Sequence, residues 1–279
     1  MKERMYTLKN FEAKTAAITG AGSGLGRALA IQFNAAGAHL ALCDMNMEGL
    51  QETKTMLSNP SLQASLHSVD VSDQAAMEGF ANEVISIHGQ VDILINNAGV
   101  TLLPKPMEEI PDTLFKKVIA VNMWGAYYGT RAFLPHLKRQ PEAGIVMISS
   151  SAGLVGLYGL SPYSMSKFAV RALAESLSME LADTGVSVLT VHPGNVRTNI
   201  IKNALDLAPE IQGKAHEFFT KSPALAPETA ALKIMKAIQR KRNRLIMGVD
   251  AHIIYLIRRL FPRAYPKILA SIFRQAKFE

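Results

Sequence analysis

Lys14-Thr-Ala-Ala-Ile-Thr-Gly-Ala-Gly-Ser-Gly-Leu-Gly26 decides how this chain folds. Residues 14 to 19 are apolar and partly β-branched and stop at Gly20, the pattern of a buried strand. Arg27 to Ala36, rich in Ala, Leu, Ile and Phe, reads as a helix. A strand, a glycine turn and a helix start together make an anion site. Missing side chains let the backbone approach a ligand, and free N–H groups with the helix dipole face a phosphate. The spacing is TGxxxGxG, because Leu25 stands where the strict GxGxxG pattern has its third glycine. On the turn alone, a glycine turn with no ligand is the plain alternative.

Outward from that turn, Ala38 to Cys43 is a second strand ending at Asp44, 20 residues after Gly24. A carboxylate there accepts hydrogen bonds from ribose hydroxyls and repels a 2′-phosphate. No Lys or Arg lies inside the turn or directly after Asp44, so NAD is expected over NADP. Arg27 is the nearest cation and keeps NADP open. Leu62 to Val69 is a third strand closing on Asp70-Val71, and Ser72 opens a helix to about His88. Val91 to Ile95 is a fourth, running into Asn96-Asn-Ala-Gly99. Ile145 to Ile148 ends in Ser149-Ser-Ser151, Val186 to Val191 in His192-Pro-Gly-Asn-Val-Arg-Thr198, and Leu245 to Met247 is a weaker seventh. This alternation predicts an α/β, Rossmann-type doubly wound parallel sheet with helices on both faces. Its ligand crevice lies at the carboxyl ends of the strands. Residues 111 to 137 read as one long helix interrupted by small residues. Inside it, Asn122 is by local reasoning solvated or bonded to the backbone.

Tyr163-Ser-Met-Ser-Lys167 sits in a stretch with helix-forming composition, opened by Ser161-Pro162. Residues i and i+4 share a helix face, so the ammonium and the phenol point into the same space. A phenol titrates near pH ~10, and a cation beside it stabilises the phenolate and lowers that value. Taken alone, the pair is weak evidence, and a packed Tyr with a solvated Lys is the plainer reading.

Composition bounds the rest. The 279 residues are 48% hydrophobic and 19% charged, ordinary for a globular chain. One cysteine excludes an internal disulfide, and the seven histidines show no HExxH spacing, so no metal site is expected. Met1 to Lys9 is charged, without the apolar core of a signal peptide, and a cytoplasmic location is expected.

In this order and register, the stretches resemble the short-chain dehydrogenase/reductase family. The resemblance covers about Phe11 to Gly248. It rests on TGAGSGLG at Thr19 to Gly26, Asp44, Asp70-Val71, the NNAG at Asn96 to Gly99, Asn122, Ser150, the YxxxK of Tyr163 and Lys167, and PGNVRT at Pro193 to Thr198. The 13-residue separation from Tyr163 picks Ser150 over Ser149 and Ser151. The resemblance implies that Tyr163 is the general acid/base at the substrate oxygen and that Ser150 hydrogen-bonds the same oxygen. It also implies that Lys167 lowers the phenol's pKa and bonds the nicotinamide ribose, while Asn122 holds a water joining Lys167 to solvent. Gly20, Gly24 and Gly26 would flank the pyrophosphate, Asp70 and Val71 the adenine, and Asn97 the adenosine-side ribose. Thr198 would bond the nicotinamide carboxamide. Thr19, Ser23 and Leu25 in the turn, and Pro193, Gly194 and Val196 beside Thr198, complete the implied cofactor contacts. A homodimer or homotetramer is implied as well.

For the substrate, Leu154, Val155, Leu157, Tyr158 and Leu160 after Ser150 are expected to wall an apolar pocket. Asn199 to Ser222, with Phe218-Phe219, resembles a lid. A hydrophobic alcohol or ketone is the expected substrate, and core or subunit packing is the plain alternative for those leucines. Residues 1–248 then form one catalytic domain and 249–279 an extension. From Arg240 to Glu279 there are 10 Lys/Arg against 2 Asp/Glu, a balance of +8. Ile253, Leu256, Ile257, Leu260 and Phe261 recur at helical spacing, with Arg258, Arg259 and Arg263 off that stripe. Such a basic amphipathic helix can lie on the inner face of a membrane, or dock on its own core or on a neighbouring subunit. Nucleic acid is not expected, because Arg240-Lys-Arg-Asn-Arg244 sits at a helix end without an aromatic platform. A non-catalytic dinucleotide sensor on the same fold is the alternative function.

Overall fold

The structure is a computed structural model and describes residues 10–198, 200, 204–206 and 224–275. Residues 1–9, most of the expected lid with its Phe218-Phe219 pair, and 276–279 lie outside the described residues. Strands and helices alternate: β1 (Thr15–Thr19), α1 (Gly24–Ala35), β2 (His39–Asp44), α2 (Met47–Thr55), β3 (Ala64–Ser68), α3 (Gln74–His88), β4 (Ile93–Asn96), α4 (Asp112–Ile119), α5 (Gly125–Leu137), β5 (Ala143–Ile148), α6 (Ser161–Glu180), β6 (Val186–Pro193), α7 (Pro227–Gln239), β7 (Arg244–Met247), α8 (Val249–Leu260) and α9 (Tyr265–Gln275). The seven strands form one parallel sheet in the order β3-β2-β1-β4-β5-β6-β7. Strand order reverses between β1 and β4, which opens the crevice where such sheets bind ligands.

Strand alternation sorts the apolar residues between two cores. Ala16, Ile18, Leu40 and Leu42 face one side and pack with Leu29 and Phe33 of α1 and Ile234 and Ile238 of α7. Ala17, Ala41 and Cys43 face the other, against Phe80 of α3, Phe133 of α5 and Val170 of α6. Each large side chain buried in this way contributes about 1.5–3 kcal/mol. With both faces covered, polar groups at the strand ends are what the sheet leaves for function.

The helix expected over 111–137 is broken. Ala120–Trp124 is a π-turn between α4 and α5, and the buried Asn122 lies inside it. Its amide bonds elsewhere, as described below, and π-turns of this kind accompany functional sites.

Candidate active site

At the exit of β1, the glycine turn is braced from β4. Thr19 Oγ1 accepts the N–H groups of Asn97 and Ala98 at 2.9 and 3.0 Å. In return, Asn97 Nδ2 donates to the carbonyls of Thr19 and Gly20 at 2.8 and 3.1 Å. A Cβ at Gly26 would stand 2.1 Å from the Gly20 carbonyl oxygen. The close helix-to-turn packing is therefore made at Gly26, which is why Leu25 is tolerated at its own position. Ser23 caps α1 without a side-chain bond to the helix, leaving its first N–H groups open to an anion. Across the groove, Thr198 faces Gly24, with its Cβ 3.2 Å from where a Cβ on Gly24 would lie.

Asp44 closes the far end of this groove. Its carboxylate accepts the Gly22 and Asn46 N–H groups at 2.9 and 3.0 Å. Arg27 is committed elsewhere: it pairs with Glu52 at 2.6 Å and donates to Thr53 Oγ1 at 3.1 Å and the Gly22 carbonyl at 2.5 Å. Asp70, just past β3, accepts from the Ser72 N–H and hydroxyl at 2.9 and 2.6 Å. Burial raises its pKa, but the Ser72 bonds and Lys117 outweigh that and hold it below its usual value. Val71 beside it is buried.

The second cluster gathers Ser150 past β5, Tyr163 and Lys167 of α6, and Asn122. Lys167 Nζ donates to the Ile148 carbonyl at 3.1 Å and lies 5.6 Å from the Tyr163 ring centroid. A Cβ at Gly99 would be 3.2 Å from both Lys167 Nζ and Asn122 Oδ1, so both reach the end of the Asn96–Gly99 stretch. Asn122 is not solvated. It accepts the Val100 N–H at 2.8 Å and donates to the Val100 carbonyl and Ser166 Oγ at 2.9 and 3.0 Å. Burial pulls Lys167 down to about 8, so it remains a cation at neutral pH. Burial pushes Tyr163 up from its ordinary value, and its hydrogen bond with Ser150 offsets only part of that. This reverses the lowering expected from the sequence. The cavity walls disfavour phenolate, and the Lys167 ammonium gives its hydrogen bond to Ile148.

Ser150 is itself held at two points. Its hydroxyl accepts the Ala152 N–H at 3.1 Å, and His192 Nδ1 bonds its carbonyl at 3.1 Å. His192 is buried, and burial first, with Arg171 and Arg244 nearby, pulls it down to about 4. The neutral ring therefore donates through Nδ1. Sequence reading missed His192, although its place before Pro193 at the end of β6, beside β5, was a usable signal.

A cavity of about 220 Å³ adjoins Ser150 and Tyr163 and is walled by Leu25, Leu102, Leu103, Pro104, Leu160 and Ile200. Of the wall expected after Ser150, Leu160 alone lines it. Leu154 and Val155 are buried, and Tyr158 is exposed. The reason is the tight turn Ser151–Gly153, pressed so closely on α6 that a Cβ at Gly153 would meet the Lys167 carbonyl at 2.7 Å. The chain after it is thereby turned into the core. Residues 101–104, after β4, supply the wall instead; their apolar Leu102-Leu103-Pro104 run was the unread signal. Described parts of the expected lid fasten to that wall: the Leu205 N–H donates to Thr101 at 3.0 Å, and Asp206 accepts the Leu103 N–H at 2.7 Å and pairs with Lys105 at 2.5 Å.

Helix α8 reaches this site too. Asp250 Oδ2 accepts the Asn195 N–H at 2.7 Å. Arg258, expected among the solvent-facing cations, donates instead to the Leu154 carbonyl and lies over the Phe168 ring. Among the described residues, no group of three or more His, Cys, Asp or Glu is arranged to hold a metal ion.

The model of the short chain dehydrogenase family matches residues 14–207. The SadH protein of Mycobacterium tuberculosis is 35% identical over 268 residues, 95% of this chain and 96% of its own. Epidermal retinol dehydrogenase 2 of Mus musculus is 35% identical over 259 residues, covering 91% and 80%. A crystal structure of a short chain dehydrogenase/reductase from Burkholderia phymatum in complex with NAD matches with a TM-score of 0.82 at 27% identity, over 90% of this chain and 94% of that one. Fold, strand-end clusters and these likenesses agree, and the chain belongs to the short-chain dehydrogenase/reductase family of oxidoreductases.

Proposed function

We propose that this chain is an NAD-dependent oxidoreductase that interconverts a hydrophobic secondary alcohol and its ketone, with Tyr163 as general acid/base. The observation that carries this reading is the meeting of Ser150 and Tyr163 at an apolar cavity that also touches the glycine turn at Leu25 and the opposing Thr198. The residues fit a dinucleotide: open N–H groups at the start of α1, glycines where side chains would fill the groove, and Asp44 with no cation at hand. The NAD in the Burkholderia relative supports the same choice. Thr19, Gly20, Ser23, Gly24, Leu25 and Gly26 would hold the pyrophosphate region, and Asp44 and Asn97 the adenosine ribose. Asp70 and Val71 would hold the adenine. Lys167, Tyr163, Pro193, Gly194, Val196 and Thr198 would hold the nicotinamide end.

Bound there, the nicotinamide would accept or give the hydride. Ser150 and Tyr163 orient the substrate oxygen between them. In reduction the phenol of Tyr163 gives its proton to that oxygen; in oxidation the phenolate takes the hydroxyl proton. Lys167 remains charged beside the ring and opposes the cost of the phenolate. Asn122 pins Val100 next to Lys167, where a water would link the ammonium to solvent. Leu102, Leu103, Leu160 and Ile200 leave a charged substrate without partners, which favours an apolar one. A sensor would not need Ser150, Tyr163 and Lys167 together, so their convergence argues for catalysis. A panel of steroid, retinoid, long-chain and small secondary alcohols, scanned for NADH formation, tests the reading. Formation with apolar members supports it, and none with any member contradicts it.

The same reading assigns 1–248 to catalysis and the exposed face of the 249–279 extension, opposite Asp250 and Arg258, to an anionic lipid surface at the cytoplasmic face. No helix among the described residues is long and apolar enough to cross a membrane. Val249, Ile253, Leu256, Leu260 and Phe261 are 50–78% exposed. Arg259, Arg263 and Lys267 are exposed near them in sequence, and no acidic residue stands between Ala251 and Lys277. Apolar area and basic charge together make reversible interfacial binding. Co-sedimentation with phosphatidylglycerol vesicles, weakened by salt and by changing Arg259, Arg263 and Lys267 to Gln, is expected. Absence from the pellet at low salt would leave the exposed face to subunit contact, and light scattering would then show whether the chain is the expected dimer or tetramer.

A further inference from the structure

We propose that Asp250 and Arg258 are positioning residues, and that α8 is a strut fixing the loop after β5 relative to the loop after β6. These loops carry Ser150 on one side and Pro193 to Thr198 on the other. Inside the sheet, pairing of Ile148 with Val191 sets the distance between the two strands. Beyond it, the loop after β6 keeps backbone bonds between Gly194 and Met247 and between Leu225 and both Asn195 and Arg197. These partners do not belong to the loop after β5, so the spacing of the two loops rests on other ties. His192 supplies one at the base, through the Ser150 carbonyl. Helix α8 supplies two more. Asp250 and Arg258 are eight residues apart on one helix, about 12 Å along its axis at ~1.5 Å per residue.

The Asp250 end is built around its carboxylate. A Cβ at Gly194 would fall 2.1 Å from Asp250 Oδ1, and one at Gly248 would fall 2.4 Å from it. Two glycines thus clear the space in which the carboxylate takes the Asn195 N–H at 2.7 Å, a charge-assisted bond. An acidic residue in a first helical turn also suits the helix dipole, but that role needs no partner 55 residues away. At the other end, Leu154 is buried, and its carbonyl needs a donor. Arg258 supplies it, with its guanidinium 5.6 Å from the ring centroid of Phe168, the neighbour of Lys167. Both residues lie outside the 14–207 family match.

What the loops hold rests on the oxidoreductase reading; the strut itself is a statement about loop mobility. The test is hydrogen exchange followed by mass spectrometry, with NADH titration by fluorescence, on the full chain and on Asp250→Ala, Asp250→Asn and Arg258→Met. Asp250→Ala is expected to speed exchange in 193–198 at least about tenfold and to weaken NADH binding about tenfold, the scale of a lost bond to a charged group. Asp250→Asn, whose amide oxygen still accepts the Asn195 N–H, is expected to stay within about threefold of the wild type. Arg258→Met should speed exchange in 151–160 and leave 193–198 unchanged. The strut is overturned if neither segment changes, if Asp250→Asn behaves like Asp250→Ala, or if acceleration spreads evenly through the sheet. Should Asp250→Ala fail to fold, Arg258→Met decides by the same segments. A wild type that binds no NADH would instead overturn the oxidoreductase reading, and the exchange result would still decide the strut.

Discussion

The groove from Thr19 to Asp44 and the cavity at Ser150 and Tyr163 are built in opposite ways. The groove is mostly local: strand, turn, helix and second strand follow one another, and Asp44 bonds Gly22 across 22 residues. The cavity draws on the ends of β4, β5 and β6, on α6, and on α8 near the end of the chain. In the first, backbone groups and glycine geometry dominate, so a wrong side chain costs binding. In the second, the proposed reading gives a few side chains the charge and the proton, so there a wrong one is expected to cost chemistry. This contrast predicts that substitutions in the two regions separate binding from turnover.

The largest effect is expected at Lys167. Lys167→Met removes the cation beside the phenol and a proposed ribose contact, so kcat/KM for the best alcohol of the panel should fall at least about 10³-fold. Steady-state kinetics with NAD checks this, and a loss under tenfold would break the contrast. Next, Asp44→Ala should raise kcat/KM with NADP relative to NAD by about tenfold or more, by removing the charge that repels a 2′-phosphate. Because Arg27 is engaged with Glu52, absolute use of NADP should stay modest. A wild type that prefers NADP would overturn this account of the groove. The smallest effect is a pH slope. Tyr163 is pushed above its ordinary value, so it is protonated at neutral pH. Reduction should therefore be flat from pH 6 to 8, while oxidation, which needs the phenolate, should rise up to about tenfold per unit. That rise should flatten above pH 8, where Lys167, pulled to about 8, loses its charge. Parallel profiles in the two directions would contradict the proton role of Tyr163.

What could be read from the sequence follows the same division. All seven strands were legible, because buried parallel strands are short apolar runs, and those that end in polar clusters stand out most, the seventh least. Asp44 and the glycine turn were legible because their spacing is local. Asp250 was not, since nothing near Val249 shows that an amide 55 residues earlier needs an acceptor. Arg258 was misplaced for a related reason. Its neighbours Arg259 and Leu260 are exposed, and helical periodicity alone does not reveal that one turn of α8 meets the Leu154 carbonyl. The pocket wall failed through the turn at Ser151–Gly153, whose contact with α6 is long-range and turns Leu154 and Val155 inward. Tyr163 was found, but i,i+4 spacing shows only its proximity to Lys167 and not the burial that raises its pKa.

The most direct test of the central claim is Tyr163→Phe, assayed for NADH binding and turnover on the same preparation. The ring is kept and the proton-carrying hydroxyl removed, so turnover should fall at least about 10²-fold while NADH affinity stays within about threefold. Near-normal turnover with intact NADH binding would contradict the account, because it would leave the cavity at Ser150 without its acid and base.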